Sequence, residues 1–288
     1  MIHTPVLKKQ VLEFLHPEKG HNFIDCNVGF AGHSSVILEK IAPSGKVLGI
    51  DLDQQTLDKI EKRKNLILAQ GNFADLKQIQ KQNNFYPVHG ILFDLGFSSW
   101  QIDESSRGFS FQKDEPLLMN YQDQELTAQK IINDWPEQEI SKILWEYGQE
   151  RFSRRIARKI VQHRQKEKIE TTFQLVKIIQ QVVPLNYKKR RIHSATKTFQ
   201  ALRIAVNDEL NNLIKALPQA LEILEPHSRL IVISFHSLED RIVKVFFKEQ
   251  AQKNKLKILT KKPINPEAEE IKLNPRSRSA KLRAAQKI

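Results

Sequence analysis

The chain has 288 residues, of which 40% are hydrophobic, which suits one large globular domain or two smaller ones and excludes a disordered protein. Its one cysteine, Cys26, excludes an intramolecular disulfide and a multi-cysteine metal cluster. The chain has 46 lysines and arginines and 33 acids, so its formal net charge is +13. Neither a run of eighteen apolar residues nor a basic-then-apolar leader is found, so we expect a cytoplasmic protein that does not bind membranes.

The first hundred residues alternate short apolar segments with helical patterns. We interpret NFIDC, KVLGIDLD, LILAQ and HGILFDL as four buried strands, with helices at 34–41 and in QQTLDKIEKRK between them. Strands that alternate with helices in this way form parallel sheets. The sequence therefore predicts an α/β fold with a doubly wound, mostly parallel, Rossmann-like sheet.

The alternation stops after the fourth strand. Helical patterns without intervening strands fill residues 107–213, and the apolar segment SRLIVISFHS then reads as a fifth core strand, followed by a helix in LEDRIVKVFFKEQ. We therefore predict three segments: a first part of the sheet domain at 1–106, an inserted helical subdomain that recognises the substrate at 107–213, and the rest of the sheet domain at 214–288.

A glycine-bearing turn, GFAG, follows the first strand, and acids follow the carboxyl ends of several strands. In an open parallel sheet ligands bind beyond these ends, and Gly29 lets the backbone approach a ligand closely. NAD needs the fingerprint G-x-G-x-x-G to seat its pyrophosphate, and Ala31 breaks it. S-adenosylmethionine has no phosphate, so the turn favours this methyl donor, with NAD or no ligand as alternatives.

Positive charge is concentrated at 151–168, at 188–191 and in the tail from Lys272 to Lys287. Such clusters favour a nucleic acid over a uniformly solvated surface, because each neutralised phosphate releases counterions. We expect RNA contacts from these residues: Arg151, Arg154, Arg155, Arg158, Lys188, Lys189, Arg190 and Arg191. The tail residues Arg276, Arg278, Lys281 and Arg283 are expected to extend that surface.

Seven blocks occur in order along nearly the whole chain: HTPVL, GILFDLGFSSWQID, RGFSF, YGQERFSRRIA, TFQALRIAVNDEL, ISFHSLEDRIVK and NPRSRSAKLR. Together they closely resemble the bacterial family of 16S ribosomal RNA cytosine-N4 methyltransferases. The resemblance implies S-adenosylmethionine as cofactor, the small ribosomal subunit as partner and cytidine 1402 of 16S rRNA as target. With the strand-end residues, the expected cofactor contacts are Asp25, Gly29, Ala31, Gly32, His33, Asp51, Phe73, Asp94 and Gln101.

Methylation of cytosine N4 requires neither a covalent nucleophile nor a metal, since placement of the amine against the activated methyl group provides most of the acceleration. A carboxylate that accepts the N4 hydrogen bonds makes the lone pair more available, and we assign this catalytic role to Asp94. His236, after the fifth strand, is expected to position the base. A helix cap or a role in cofactor binding alone is the alternative for Asp94.

The target base must leave its stack, and four aromatic residues after the fourth strand are candidates to receive it, although packing in the core is favoured for each of them: Trp100, Phe109, Phe111 and Tyr121. Two other functions stay open at this point. One is an RNA-binding ribosome-assembly factor that has lost turnover, and the other is an NAD-dependent oxidoreductase. The sequence is also compatible with a homodimer and does not decide the oligomeric state.

Overall fold

The fold is that of a computed structural model, which describes residues 5–96, 105–122, 125–184, 187 and 193–288. Its strands are β1 (Phe23–Asp25), β2 (Val47–Asp51), β3 (Leu66–Gln70), β4 (Gly90–Asp94), β5 (Arg229–Ser234), β6 (Leu256–Ile258) and β7 (Lys281–Lys287). They form one sheet in the order β3-β2-β1-β4-β5-β7-β6. Strands β1 to β5 run parallel to one another, whereas β7 runs antiparallel to β5 and β6. The predicted doubly wound, mostly parallel sheet is confirmed.

The helices, numbered in chain order, are α1 (Lys8–Leu15), α2 (Gly32–Ile41), α3 (Gln54–Asp58), α4 (Leu76–Gln82), α5 (Ala128–Asp134), α6 (Glu137–Glu146), α7 (Ser153–Arg164), α8 (Thr172–Val182), α9 (Thr196–Asn207), α10 (Glu209–Ile223), α11 (Ser237–Gln252) and α12 (Ala268–Leu273). Short 3-10 turns lie at Phe73–Asp75 and Pro275–Ser279. No helix among the described residues is long and apolar enough to cross a membrane.

The central strands are buried on both faces, which explains their nearly continuous apolar sequences. In β4, Ile91 and Phe93 belong to one hydrophobic cluster, and Leu92 between them belongs to another. Helix α10 contributes Leu213 and Leu217 to the first cluster. Since the strand order reverses between β1 and β4, their carboxyl ends flank the switch point at which such sheets bind ligands.

The chain divides into two compact units, one formed by Met1–Gly96 with Leu210–Ile288 and the other by Phe97–Glu209. The first unit contains the sheet. The second begins ten residues before the boundary at 107 that the sequence indicates and ends four residues before the boundary at 213. Its role in substrate recognition stays a prediction.

Helices α5 to α9 of the second unit pack around their own apolar core, which includes Leu144, Ile156 and Phe199. Helix α8 begins after Thr171, whose side chain forms a reciprocal capping box with Gln174. Helix α9 is separated from α10 by its C-cap, Asp208. Its φ of 51° lies in the left-handed region, where a right-handed helix cannot continue.

Candidate cofactor and catalytic site

The turn between β1 and α2 brings backbone amides and polar side chains to the switch point. Gly29 (φ 48°) and Ala31 (φ 60°) both adopt left-handed conformations, so Ala31 occupies a position that favours glycine. No side chain caps α2, which leaves the amides of its first turn available to an anionic group such as a carboxylate. A Cβ on Gly32 would lie 3.4 Å from the ring of Pro5, so the chain passes close to the turn here.

Asp25 ends β1 and is buried. Its Oδ2 accepts a hydrogen bond from the Ser34 hydroxyl (2.7 Å), and its Oδ1 accepts one from the Asn27 backbone amide (3.3 Å). Burial raises the pKa of this carboxyl, and nearby His33 opposes the rise. Asp25 therefore stabilises the conformation of the turn between β1 and α2. The Ser34 hydroxyl, in the first turn of α2, is used in this contact.

His33 and Asp94 converge from α2 and β4. His33 Nε2 lies 3.5 Å from Asp94 Oδ2, and both side chains are largely buried. Four buried polar atoms at this point have no hydrogen-bond partner among the described residues: Asn27 Oδ1, His33 Nδ1, His33 Nε2 and Asp94 Oδ1. Unpartnered buried polar atoms are costly, so their concentration at the switch point indicates a polar ligand.

Asp51, at the end of β2, is joined to the same turn. Its Oδ2 accepts a hydrogen bond from the Gly29 amide and its Oδ1 accepts one from the Asp53 amide, both at 3.0 Å. Burial raises the pKa of Asp51 to about 6. Each oxygen keeps a free lone pair, so the carboxylate can accept both hydrogens of a ribose diol.

Asp53, the second acid of this strand end, has a structural role. Its two oxygens accept hydrogen bonds from the Gln55 amide and the Thr56 hydroxyl, so it caps α3. Phe73, after β3, is half-buried and packs edge-on against Phe93, with ring centroids 5.6 Å apart. Its ring therefore lies beside β4, and a contact with adenine stays a prediction.

His236 is the N-cap of α11. Its Nδ1 accepts a hydrogen bond from the Glu239 amide (3.4 Å), and Glu239 Oε2 accepts one from the Phe235 amide (2.8 Å). Asp94 pairs with Ile233 across β4 and β5, so His236 follows a strand end that neighbours Asp94. Its Nε2 lies 3.2 Å from Glu239 Oε1, a contact that does not have the geometry of a hydrogen bond. The cap fixes the ring, and its role toward a base stays a prediction.

Cys26 is buried, as expected, and burial raises the pKa of its thiol. A buried thiol of high pKa is inert. Six of the residues singled out from the sequence lie outside the described part of the chain: Trp100, Gln101, Lys188, Lys189, Arg190 and Arg191.

Four arginines of the second unit that were expected to contact RNA are described, and all four are exposed: Arg151, Arg154, Arg155 and Arg158. Arg154, Arg155 and Arg158 lie on α7 at a spacing that places them on one face, whereas Arg151 precedes the helix. The guanidinium carbon of Arg151 lies 4.6 Å from the centre of the Phe152 ring. Within the described part of the chain, Arg158 alone of these four forms an ion pair, with its Nε 3.7 Å from Glu137 Oε1. These side chains can contact phosphates, and this role stays a prediction.

One expectation was wrong. Arg283 is not part of a basic surface, because it lies in β7 and forms a buried ion pair with Asp240, with Nε 2.6 Å from Oδ1. The described aromatic residues after β4 pack within the second unit, as favoured above: Phe109 stacks on Tyr121, and Phe111 stacks on His193 and meets Phe199 edge-on. Phe109 and Phe111 pack against the core of this unit.

The fold and the site together define a class. A parallel sheet of this order, an acid on the second strand and a turn without the pyrophosphate fingerprint are typical of Rossmann-like methyltransferases. The fit to S-adenosylmethionine depends on the unpartnered atoms of Asn27 and His33 near the turn, which suit its amino and carboxylate groups, and on Asp51 for its ribose.

The chain belongs to the MraW methylase family, whose profile matches residues 1–288. This is a family of S-adenosylmethionine-dependent methyltransferases, which rules out the NAD-dependent oxidoreductase considered above. A relative from Heliobacterium mobile, named ribosomal RNA small subunit methyltransferase H, is 47% identical and covers 99% of each chain. A protein of the same name from Brevibacillus brevis is 43% identical over 99% of this chain and 98% of its own. A solved methyltransferase from Streptococcus mutans, in complex with SAH, is 15% identical with a TM-score of 0.46.

Proposed function

We propose that this protein transfers the methyl group of S-adenosylmethionine to the exocyclic N4 of a cytidine in 16S ribosomal RNA, at position 1402. Family membership supports the methyl transfer, and the names of the relatives support ribosomal RNA of the small subunit as substrate. The sequence blocks described above support N4 and the position. Because the proposed substrate is ribosomal RNA of the small subunit, we place the activity in the cytoplasm.

One observation carries the catalytic part of the proposal. Asp94 has one oxygen beside His33, while its other oxygen, Oδ1, is buried without a hydrogen-bond partner among the described residues. An acceptor of this kind at the switch point suits an amino group that must be oriented and made more electron-rich. S-adenosylmethionine supplies the activated methyl group.

The residues of this chain bind and orient the reactants and accept the proton. Asp94 Oδ1 accepts an N–H hydrogen bond from N4, which draws electron density toward the nitrogen as the new bond forms. The proton that N4 loses moves toward the same carboxylate. His33 lies beside Oδ2 of this carboxylate, while Asp51 and the β1–α2 turn fix the donor. His236 positions the base, and the arginines of α7 contact the RNA backbone.

The free acceptor at Asp94 also bears on the assembly-factor alternative. A protein that only binds RNA has no use for a buried, unpartnered carboxylate oxygen, which is costly to maintain. The polar atoms of the turn support binding of the donor in the same way, even though Ala31 stands where a glycine is favoured.

Substitution of Asp94 tests the proposal. Asp94→Asn keeps the shape of the side chain but removes the negative charge, and loss of one such electrostatic contact slows catalysis by roughly 100- to 1,000-fold. We expect this loss in kcat for methyl transfer to 16S RNA, with RNA affinity unchanged. Asp53→Asn, which changes a neighbouring strand-end acid that caps α3, is the matched control and should retain turnover. Equal rates for Asp94→Asn and wild type would refute the assignment.

A further inference from the structure

A second basic surface lies on the sheet-containing unit, in a part of the chain that the sequence did not single out. Residues 241–262 include eight lysines and arginines and one acid, Glu249. All eight basic side chains are exposed, and none of them forms an ion pair with the described part of the chain. This segment therefore carries more than half of the formal charge of +13.

Helix α11 displays the first three of these residues on one face. Arg241, Lys244 and Lys248 are spaced by three and four residues, so they form a row of about 10 Å along the helix. The two acids at the start of the helix do not offset this charge, because Glu239 caps the helix and Asp240 pairs with the buried Arg283. The row is left with an uncompensated positive charge.

The row continues into the edge of the sheet. Lys253 and Lys255 lie in the turn after α11, and Lys257 lies on β6, which is the last strand of the sheet beside β7. Lysines on an edge strand also prevent pairing with other strands, and this reason alone could account for Lys257. It does not account for Arg241, Lys244 and Lys248, which are on a helix.

The start of α11 connects this surface to the site. The helix begins directly after His236, and Lys281 at the start of β7 lies 3.9 Å from Asp240 in its first turn. A polyanion lying along α11 therefore reaches the carboxyl end of β5, beside the strand that ends in Asp94. Solubility alone does not require such a segregated row of one sign next to the site.

We infer that the row formed by Arg241, Lys244 and Lys248, the α11 row, is a docking surface for the phosphate backbone of the RNA that flanks the target nucleotide. The inference rests on the proposed function for the identity of the RNA. Each basic residue contacts a phosphate and releases counterions, so the row contributes affinity and orientation without reading sequence. It would hold the RNA on the catalytic unit while the target base enters the site.

The test compares two double variants in binding to naked 16S RNA as a function of salt. Lys244→Ala/Lys248→Ala removes two charges from the α11 row. Lys62→Ala/Lys64→Ala removes two exposed charges that precede β3, at the opposite edge of the same sheet. Loss of two phosphate contacts should lower the slope of log K against log salt by roughly 1.4 to 1.8 and weaken binding about five- to eightfold per lysine at 0.1 M salt.

We expect this change only for the α11 variant, with full recovery in Lys244→Arg/Lys248→Arg and unchanged affinity for S-adenosylmethionine, which shows that the variant is folded. Equal slopes for the two alanine variants, or a wild-type protein that does not bind 16S RNA, would overturn the inference. Binding decides this question independently of turnover. A wild type that binds RNA through the row but transfers no methyl group would refute the proposed function and leave the docking surface in place.

Discussion

The pKa of Asp51 makes donor binding sensitive to pH in a way that the structure allows us to quantify. Burial raises this pKa to about 6, and the ionised carboxylate is the form that accepts both ribose hydroxyl hydrogens. About 90% of Asp51 is ionised at pH 7 and about 10% at pH 5. If only the ionised form binds well, the affinity for S-adenosylmethionine falls roughly tenfold over this range.

The sign follows from the direction of the shift. Because the folded pKa is raised, Asp51 takes up a proton as the pH falls through about 6, and the donor then has to displace that proton to bind. The amino and carboxylate groups of the donor keep their charges between pH 5 and 7, since their ordinary pKa values lie outside this range. The loss of affinity therefore reports on the protein.

Asp51→Asn is the decisive variant. It removes hydrogen bonds to a charged acceptor, which are worth about 1.5–3 kcal/mol each, so affinity at pH 7 should fall at least tenfold. Because asparagine does not titrate, its affinity should be the same at pH 5 and pH 7. Asp53→Asn loses the same charge two residues away but keeps a good helix cap, so it should bind like wild type.

Isothermal titration calorimetry with S-adenosylmethionine at both pH values measures all three proteins. The expected pattern is a pH-dependent affinity in wild type and Asp53→Asn and a weak, pH-independent affinity in Asp51→Asn. A wild-type affinity that does not change between pH 5 and 7, or an Asp51→Asn variant that binds as tightly as wild type, would refute the assignment of Asp51 to the ribose.

Two further predictions concern the RNA face of the second unit and the stability of the first. Arg154→Ala should lower the slope of log K against log salt for RNA binding by roughly 0.7–0.9. Arg158→Ala should lower it less, because Glu137 already lies 3.7 Å from that guanidinium. Equal effects of the two variants in filter binding would contradict this. Arg283→Ala leaves Asp240 charged and largely buried, so it should lower the free energy of unfolding by about 3–5 kcal/mol. Lys281→Ala, which removes a more exposed partner of the same carboxylate, should cost less than about 1 kcal/mol, and similar urea midpoints for the two variants would exclude this role for Arg283.

The sheet was predictable because its strands are buried on both faces and therefore appear as short apolar runs. Leu92 and Phe93 face different clusters, so no polar residue interrupts the strand. The last strand, β7, was missed for the opposite reason. Its sequence, KLRAAQK, is basic, and it is a strand because of its ladders with β5 and β6, with Arg283 paired to Asp240.

The site was partly predictable. Strand ends identify Asp25, Asp51 and Asp94 because the carboxyl ends of parallel strands meet at one edge of a sheet. Local sequence could not separate Asp51 from Asp53, since the difference lies in the hydrogen bonds that each carboxylate makes. The exposed row on α11 was missed because its lysines are interspersed with the apolar residues that anchor the helix, and the row forms only when the helix does.

Methyl transfer to the proposed substrate tests the central claim most directly. Unmethylated small subunits and naked 16S RNA are incubated with the protein and tritiated S-adenosylmethionine, and the labelled nucleoside is then identified by mass spectrometry. We predict label in N4-methylcytidine, within the RNA fragment that contains cytidine 1402. Label in another base, label at a ring carbon of cytosine, or RNA that stays unlabelled while the protein binds both RNA and donor would contradict the account.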